Sequence, residues 1–180
     1  MNIGNLKFVP VKDPPELVSP IVFGAVPRLD RAEQIQVVEI DPRFSDTNVF
    51  CLEYQIGMNR VANCVILEAK RAEKGWLAAC VALGDTRIDV NGLVRRTLNA
   101  RKASFASMDE AVAQSSMEYG AITPIELPDG WPILIDLDVV HSEYVIIGSG
   151  LRKSKLAVPG NLLAFLPDAC ILKGVAKVLE

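Results

Sequence analysis

Two long apolar runs separated by a short polar turn constrain the fold of this chain most. The runs "NCVILEA" and "WLAACVAL" are joined by "KRAEKG". Continuous apolar runs of this length are typical of buried strands, and a short polar turn between them returns the chain beside itself. We therefore expect an antiparallel pair of strands in the centre of the fold.

The remaining patterns mix strands and helices without a strict β-α-β alternation. Further strands are predicted at "QIQVVEI", "KASFA", "WPILID", "EYVIIG", "KLAV" and "CILKGVA". Helices are predicted at "SDTNVFCLEYQIG", "DVNGLVRRTLN", "MDEAVAQSS" and "NLLAFL", and "LDVVHS" is a turn or a short helix. The expected fold class is mixed α and β, with a curved mixed sheet surrounded by short helices. A Rossmann fold is not expected, because the chain has no GxGxxG fingerprint.

Several helix ends carry recognisable signals. Ser45 or Asp46 is placed to cap the first of these helices, and Gly57 to terminate it. Asp89 is the expected cap of the second helix. Ser107 and Glu110 have the S-x-x-E spacing of a capping box, which opens the third.

The first 30 residues differ from the rest in their proline content. Five of the eleven prolines fall by Pro27. Proline fixes φ and removes a backbone donor, so this segment is expected to run extended or kinked across the surface. The expected organisation is a proline-rich N-terminal arm, residues 1–30, followed by one domain, residues 31–180.

Composition removes several classes of function. One histidine and four cysteines without a CxxC pair argue against a metal site. No apolar stretch reaches the roughly 20 residues of a membrane span, and the first residues lack the apolar core of a signal peptide. A cytoplasmic location without membrane contact is therefore expected. The net charge of −3 gives no general attraction to nucleic acid.

The basic residues are nevertheless clustered. "VRRTLNARK" and "GLRKSKL" concentrate positive charge in two places. Such clusters are solvated faces or local sites for phosphates. The candidate phosphate-binding residues are Arg95, Arg96, Arg101, Arg152, Lys153 and Lys155.

The loop "GAITP", residues 120–124, carries no titrating side chain, yet it has features of a binding loop. Gly120 lacks the Cβ that would block close approach, and Pro124 stiffens the exit. Backbone N–H groups can polarise a carbonyl and hold a developing oxyanion without a titrating side chain. The alternative is an ordinary surface connection built from turn residues.

The order of these segments resembles the YbaK family, the aminoacyl-tRNA editing domains found alone or joined to prolyl-tRNA synthetase. The resemblance rests on "LNARKASFASMDEAVAQSSMEYGAITPIELPDGWPILID" followed by "YVIIGSGLRKSKL". It runs from about Gln34 to near Ala176, and the proline-rich arm lies outside it. It implies a partly closed mixed sheet and hydrolysis, in trans, of the ester that joins a wrong amino acid to tRNA. It implies no cofactor, and it implies aminoacylated tRNA and a synthetase as partners.

The resemblance also assigns roles to residues. The backbone of Gly120, Ala121, Ile122, Thr123 and Pro124 would frame the aminoacyl group, with Gly120 at the reacting centre. A second group, Gly148, Ser149 and Gly150, would contact the substrate. Asp136 would orient a water or hold the loop, or it would simply cap the segment that follows it.

One position departs from the family. The family usually has a lysine at the start of the first central strand, where this chain has Asn63, followed by Cys64. Asn63 would orient the ester or the water, or another cation such as Arg60, Lys102 or Lys155 would reach the site. A third outcome is a pocket that binds without turnover. Cys64 as a nucleophile is a fourth idea, although a cysteine within an apolar strand is usually inert packing.

Two functions therefore stay open at the level of sequence. The first is a trans-editing deacylase with Asn63, Gly120 and Asp136 at the catalytic centre. The second is a non-catalytic module that binds an aminoacyl-tRNA, a small ligand or a synthetase. The sequence does not identify the amino acid, the tRNA or the oligomeric state.

Overall fold

The computed structural model describes residues 1–178, which form thirteen strands, several of them very short. The strands are β1 (Asn2–Ile3), β2 (Leu6–Lys7), β3 (Val9–Pro10), β4 (Gln36–Glu39), β5 (Ala62–Arg71), β6 (Lys74–Leu83), β7 (Thr86–Ile88), β8 (Lys102–Phe105), β9 (Ile133–Asp136), β10 (Val145–Gly148), β11 (Ser154–Val158), β12 (Ala169–Leu172) and β13 (Ala176–Val178).

A five-stranded sheet has the order β12-β9-β6-β5-β8. β5 and β6 pair antiparallel along their full length, from Ala62 opposite Leu83 to Arg71 opposite Lys74. This pair is the one predicted from the two apolar runs. β9 runs parallel to both β6 and β12, so the sheet is mixed.

A second sheet of four antiparallel strands has the order β10-β11-β4-β3. A single parallel bridge between Val61 and Ile146 connects it to the start of β5. The largest apolar cluster joins the two sheets, with Val81 and Ile135 from the first and Val37 and Leu156 from the second. The mixed class with a curved, partly closed sheet is confirmed.

The helices are short, and buried residues of three of them join the main apolar cluster. They are α1 (Pro20–Ala25), α2 (Thr47–Glu53), α3 (Arg95–Thr97), α4 (Met108–Ser115) and α5 (Leu137–His141), together with a π-helical turn (Val90–Val94) and 3₁₀ turns at Pro15–Leu17, Val26–Arg28, Ala32–Gln34, Pro42–Phe44, Met58–Arg60 and Gly160–Phe165. Within residues 1–178, no helix has the length and apolar character needed to cross a membrane.

Three predicted caps lie at helix starts. Ser107 accepts a hydrogen bond from the N–H of Glu110 at 3.2 Å, and Asp89 accepts one from the N–H of Leu93 at 3.3 Å. Asp46 precedes α2 without making a side-chain bond to it. The predicted terminator of α2 was wrong, because the chain leaves the helix at Tyr54 and Gln55 adopts the left-handed conformation before Gly57 is reached.

The last predicted strand is divided in two. β12 lies in the five-stranded sheet, whereas β13 pairs antiparallel with β7. Gly174, with φ +83°, lies in the turn between them. The sequence predicts one strand here because the three residues between β12 and β13 are too few to disturb the apolar pattern.

The proline-rich arm is not confined to the surface. Val11, Val18 and Val22 are buried in the same cluster as the central strands, and β3 extends the second sheet by pairing with β4. Prolines restrict the backbone, but the apolar residues between them still gain free energy from burial. The expectation of an extended surface segment was therefore wrong.

Candidate active site

A cleft of about 420 Å³ opens where β5 begins, between the 119–122 loop and the facing ends of β10 and β11. It is lined by Asp46, Thr47, Val61, Ala62, Asn63, Cys64, Val65, Ile66, Phe105, Ala106, Met108, Ala111, Tyr119, Gly120, Ile122, Ile147, Gly148 and Lys155. Its wall is largely apolar, with a few polar groups, as in most small-ligand sites. We refer to it below as the site cleft.

Lys155 supplies the ammonium of the site cleft. Its side chain extends from β11 and the residue is only 5% exposed. The Nζ atom donates a hydrogen bond to the carbonyl of Ser45 at 2.8 Å and lies 5.5 Å from the centre of the Phe50 ring. These contacts hold the cation in place without neutralising it, because neither partner carries a full negative charge.

The surroundings of Lys155 make its proton easier to lose. Burial, followed by the nearby charge of Arg152, lowers the pKa of Lys155 to about 8, although Asp46 and Cys51 act in the opposite direction. A buried ammonium with a lowered pKa is characteristic of functional sites as well as of strained packing. Lys155 is charged at neutral pH and close to the point of titration.

Gly120 and Ile122 are the two residues of the 120–124 loop that line the site cleft. Within residues 1–178, their N–H groups donate to no protein acceptor, whereas the N–H of Ala121 donates to the carbonyl of Glu118 at 3.0 Å. Two N–H groups of one loop beside a cleft are suited to holding an oxyanion.

The other residues of the loop serve its packing. Ala121 and Thr123 are buried, and the N–H of Thr123 donates to the sulfur of Met117 at 3.4 Å. Pro124 lines a different cleft, described below. Of the five loop residues named from the sequence, the structure therefore brings two to the site cleft.

Gly148 connects the second glycine segment to this loop. A Cβ at this position would collide with the carbonyl of Ala121 and would come within 2.7 Å of the carbonyl of Ile122. The absence of a side chain allows β10 to approach the loop backbone closely. Gly148 also lines the site cleft.

Ser149 and Gly150 lie behind Gly148 and do not line the site cleft. Ser149 is fully buried, and its hydroxyl lies 2.7 Å from the hydroxyl of Ser154. Gly150 donates its N–H to the carbonyl of Ala121 at 2.8 Å. Both residues hold the turn and the loop together.

Asn63, which occupies the position of the usual family lysine, lines the site cleft at the start of β5. Its side-chain oxygen accepts a hydrogen bond of 2.5 Å from the hydroxyl of Thr47, the first residue of α2. This bond leaves the amide NH₂ group as the free donor of the side chain.

Arg152 forms an ion pair with Asp46, which lines the site cleft. The guanidinium of Arg152 contacts the carboxylate of Asp46 at 3.2 Å and donates to the carbonyls of Tyr119 and Pro42 at 3.1 and 3.2 Å. A Cβ on Gly120 would meet this guanidinium at 2.5 Å. Arg152 is thereby tied to the loop, although it does not itself line the site cleft.

Asp136 lies away from the site cleft. Its carboxylate, 5% exposed, accepts hydrogen bonds from the N–H groups of Asp138 and Ala176, both at 3.0 Å. It caps α5 and anchors β13, which is the capping alternative weighed from the sequence. Its carboxylate makes no hydrogen bond to the 120–124 loop.

The basic residues are divided among several surroundings. Arg96 and Arg101 are exposed beside α3, and Arg95 donates from Nε to the carbonyl of Asn91 at 3.0 Å. Lys153 is half-buried next to Arg152. None of these residues lines the site cleft, whereas Lys155, which the sequence grouped with them, lies inside it.

Cys64 lines the site cleft on β5, next to Asn63. Burial and the neighbouring Cys80 raise the pKa of the Cys64 thiol far above its ordinary value. Since the thiolate is the reactive form, this environment favours an inert thiol.

Sequence reasoning missed Asp46, Thr47, Phe105 and Tyr119 as lining residues. Asp46 had been interpreted only as a helix cap. A signal for Lys155 was present, because it lies in "SKLAV", whose other residues are typical of a buried strand. A lysine within a strand of this pattern is expected to be buried, unlike the cations that precede it in the sequence.

Comparison with known proteins identifies the family. The family description "aminoacyl-tRNA editing domain" matches residues 41–166. The chain belongs to the aminoacyl-tRNA editing domain family. The match is shorter at both ends than the resemblance estimated from the sequence, and it leaves the N-terminal arm outside.

Several solved structures share the fold of this chain. One, described as a proposed trans-editing enzyme for prolyl tRNA synthetase, superposes with a TM-score of 0.70 at 16% identity, covering 87% of this chain and 97% of that chain. A hypothetical protein, APE2540, gives 0.70 at 16% identity, with 79% and 91% covered. A protein from Marinobacter aquaeolei VT8, described as a signal transduction protein, gives 0.57 at 16% identity, with 86% and 30% covered.

These likenesses establish the fold of the editing domain. A comparison with curated protein sequences found no match. Within residues 1–178 of this editing domain, no group of three or more His, Cys, Asp or Glu side chains is arranged to hold a metal ion.

Proposed function

We propose that this editing domain hydrolyses the ester of a mischarged aminoacyl-tRNA in trans, and that the amino acid occupies the site cleft. The observation that supports the proposal is that Lys155 lines the same cleft as Gly120 and Ile122, whose N–H groups donate to no acceptor within residues 1–178. The cation absent from position 63 is thus supplied from another strand.

The chemistry asks for few groups because the ester is already activated. Water attacks the carbonyl carbon, and negative charge develops on the carbonyl oxygen in the transition state. The N–H groups of Gly120 and Ile122 stabilise that oxygen, and Lys155 adds positive charge to the surroundings. The ester C–O bond then breaks, giving a free amino acid and a tRNA whose terminal ribose hydroxyl has taken up a proton.

Two further groups fit the same substrate. Asp46 is the one carboxylate among the described residues that line the cleft, and it offers a partner for the α-ammonium of the amino acid. The NH₂ group of Asn63 is free to donate to the ester or to the attacking water, because Thr47 already donates to its oxygen. Asn63 is thus an orienting group rather than a charged one.

Aminoacylated tRNA is the proposed partner, and the cytoplasm, where tRNAs are charged, is the proposed location. The structural neighbour described as acting for prolyl tRNA synthetase supports a link with a synthetase. The apolar lining from Cys64, Ile66, Ile122 and Ile147 favours a small or medium uncharged amino acid side chain.

The decisive experiment incubates the pure protein with a panel of mischarged tRNAs and follows loss of the ester. We expect hydrolysis of at least one ester above the rate without protein, and a strong loss of that activity in Lys155→Met. If no ester in the panel is cleaved at micromolar protein but tRNA binds with strong salt dependence, the protein is instead a binding module. The uncharged Asn63 at the usual lysine position is the observation that favours this second candidate.

A further inference from the structure

A second concave surface begins where the site cleft ends. This groove, of about 790 Å³, shares Asn63, Val65 and Phe105 with the site cleft and continues along β7 to Lys177 on β13. We call it the β7 groove. Because the two depressions have these three lining residues in common, they adjoin each other.

Phe105 stands at the boundary between the two depressions. It is 65% exposed at the end of β8, and its ring is not part of an aromatic pair within residues 1–178. A large aromatic side chain that borders a site but remains open to water offers a flat apolar surface. Nucleobases stack on such surfaces, with little dependence on sequence.

Positive charge continues beyond Phe105. Exposed Arg87 and Lys177 line the β7 groove, and they lie on β7 and β13, which are directly paired at Lys177 and Arg87. The groove also contains one carboxylate, Asp89, 3.8 Å from Lys177, whose side chain remains 76% exposed. The paired strands thus place two cations on opposite members of one register pair, and neighbouring cations of this kind can contact nucleic-acid phosphates.

A third cleft, elsewhere on the described residues, has the opposite charge. It measures about 340 Å³ and shares no lining residue with the other two. It contains an aromatic residue, Phe165, that is 68% exposed, and one cation, Arg28, but also Asp30, Glu126, Asp129 and Asp168. Phe105 and Phe165 are thus both exposed beside a depression, and of these two only Phe105 borders a groove that has more cations than carboxylates.

We propose that the β7 groove binds the single-stranded 3′ end of the tRNA, with the terminal adenine stacked on Phe105. The phosphates of the preceding nucleotides then contact Arg87 and Lys177, and the esterified ribose lies at the entrance of the site cleft. This inference deepens the proposed function and rests on it for the identity of the nucleic acid. It assigns RNA contacts to residues outside the two basic clusters of the sequence.

Binding of uncharged RNA tests the inference without any need for hydrolysis. The probe is a fluorescent RNA minihelix that ends in single-stranded CCA, compared with the same helix ending blunt, at several salt concentrations. We expect the CCA form to bind more tightly, and Phe105→Ala to weaken it about tenfold, in line with the loss of one stacked base. Phe105→Tyr should restore binding.

The cations are tested through the salt dependence. Arg87→Gln combined with Lys177→Gln should lower the slope of log affinity against log salt by about one to two, because two phosphate contacts on a single strand are lost. The matched control combines Phe165→Ala with Arg28→Gln, which removes an exposed aromatic residue and a cation from the acidic cleft. This control should bind the minihelix as the unchanged protein does.

The outcomes separate this inference from the proposed function. Preferential CCA binding that depends on Phe105, without hydrolysis of any mischarged tRNA, supports the groove and argues against the deacylase. Hydrolysis that is unaffected by Phe105→Ala and by the double cation variant, in both KM and salt dependence, overturns the groove and leaves the deacylase. Equal binding of the CCA and blunt helices, or no binding even at low salt, also overturns it.

Discussion

Gly148 and Lys155 are direct register partners on the antiparallel strands β10 and β11, and both line the site cleft. The position without a side chain allows the 120–124 loop to approach, and the position opposite it carries the buried ammonium. One register pair of the two strands therefore accommodates the loop that carries the backbone N–H donors and also supplies the charged lysine.

Replacing Lys155 by methionine should separate function from stability. We expect Lys155→Met to lower kcat/KM for a mischarged tRNA about 100-fold or more, the usual effect of losing one group that stabilises a developing oxyanion. The same change should stabilise the fold by about 2 kcal/mol at pH 7, since it removes a buried charge whose pKa shift corresponds to roughly 3 kcal/mol and loses one hydrogen bond worth about 1 kcal/mol. Chemical denaturation and kinetics measure the two effects, and Lys153→Met, at the neighbouring half-buried position, should change neither appreciably.

The titration of Lys155 predicts opposite trends for activity and stability. Its folded pKa of about 8 lies below the ordinary 10.5, so the unfolded chain binds more protons between these values. The free energy of unfolding contributed by this group therefore rises from pH 8 to 10.5, and Lys155→Met should lack that rise. Activity should fall above pH 8 as the ammonium is lost, after subtraction of spontaneous ester hydrolysis.

An N-acetylated aminoacyl-tRNA provides the control for that pH profile, because the substrate's own α-amino group also titrates near pH 8. If activity towards the acetylated substrate instead rises through pH 8, Lys155 acts as a neutral base, and its assignment as a stabilising cation is wrong.

A methyl group at Gly148 should displace the loop. In Gly148→Ala the new Cβ collides with the carbonyl of Ala121, so we expect loss of several kcal/mol of stability or a shifted loop with hydrolysis reduced at least 100-fold. Thermal unfolding and kinetics measure these changes. Gly130→Ala is the matched glycine control, because a Cβ there meets no atom within 4 Å, although its φ of +78° adds modest strain. Equal activity of the two variants would contradict the described contact.

Restoring the usual family lysine should not help this protein. Asn63→Lys places a second ammonium in a cleft that already contains Lys155. Like charges in one cleft oppose each other's protonation, so we expect the pKa of Lys155 to fall further and activity at pH 7 to decrease. The double variant Asn63→Lys with Lys155→Met should recover part of the activity lost in Lys155→Met. Increased hydrolysis by the single variant would instead support the binding-module alternative.

Asp136 should contribute to stability and not to turnover. Asp136→Ala removes the acceptor of two backbone N–H groups, so we expect a loss of about 2–4 kcal/mol in the free energy of unfolding. At a temperature where the variant is folded, its kcat should equal that of the unchanged protein. A large fall in kcat with an unchanged circular dichroism spectrum would instead show that Asp136 takes part in catalysis.

The sequence predicts individual helices and strands better than it predicts the contacts that each segment makes with distant parts of the chain. The pairing of β5 with β6 followed from two apolar runs, because burial on both faces leaves a continuous pattern. The burial of the N-terminal arm against the core is not predictable in this way. Its prolines indicate which backbone conformations are allowed, but not which side chains are buried. Where Val11, Val18 and Val22 are buried depends on contacts with strands that are distant in the chain.

The same limit applies to the site. A family pattern singles out Asn63, Gly120 and Gly148 in the sequence, and all three line one cleft in the structure. The sequence does not distinguish Lys155 from Lys153. The direction of each side chain depends on the strand register and on which face of the sheet is covered by other elements. Asp136 is the opposite case. The family pattern predicts it as a site residue, but its carboxylate accepts hydrogen bonds from two backbone N–H groups away from the site cleft.

The arm that precedes the family-matched region has one more consequence. Ser19 fills the space beside Gly150, and Val22 and Val26 belong to the same apolar cluster as the central strands. A shortened chain that begins at residue 31 would expose that cluster to water and leave the turn behind Gly148 unsupported. Heat should accordingly melt the arm and the remaining structure in a single cooperative transition, so the architecture that shapes the pocket includes residues that precede the family-matched segment 41–166.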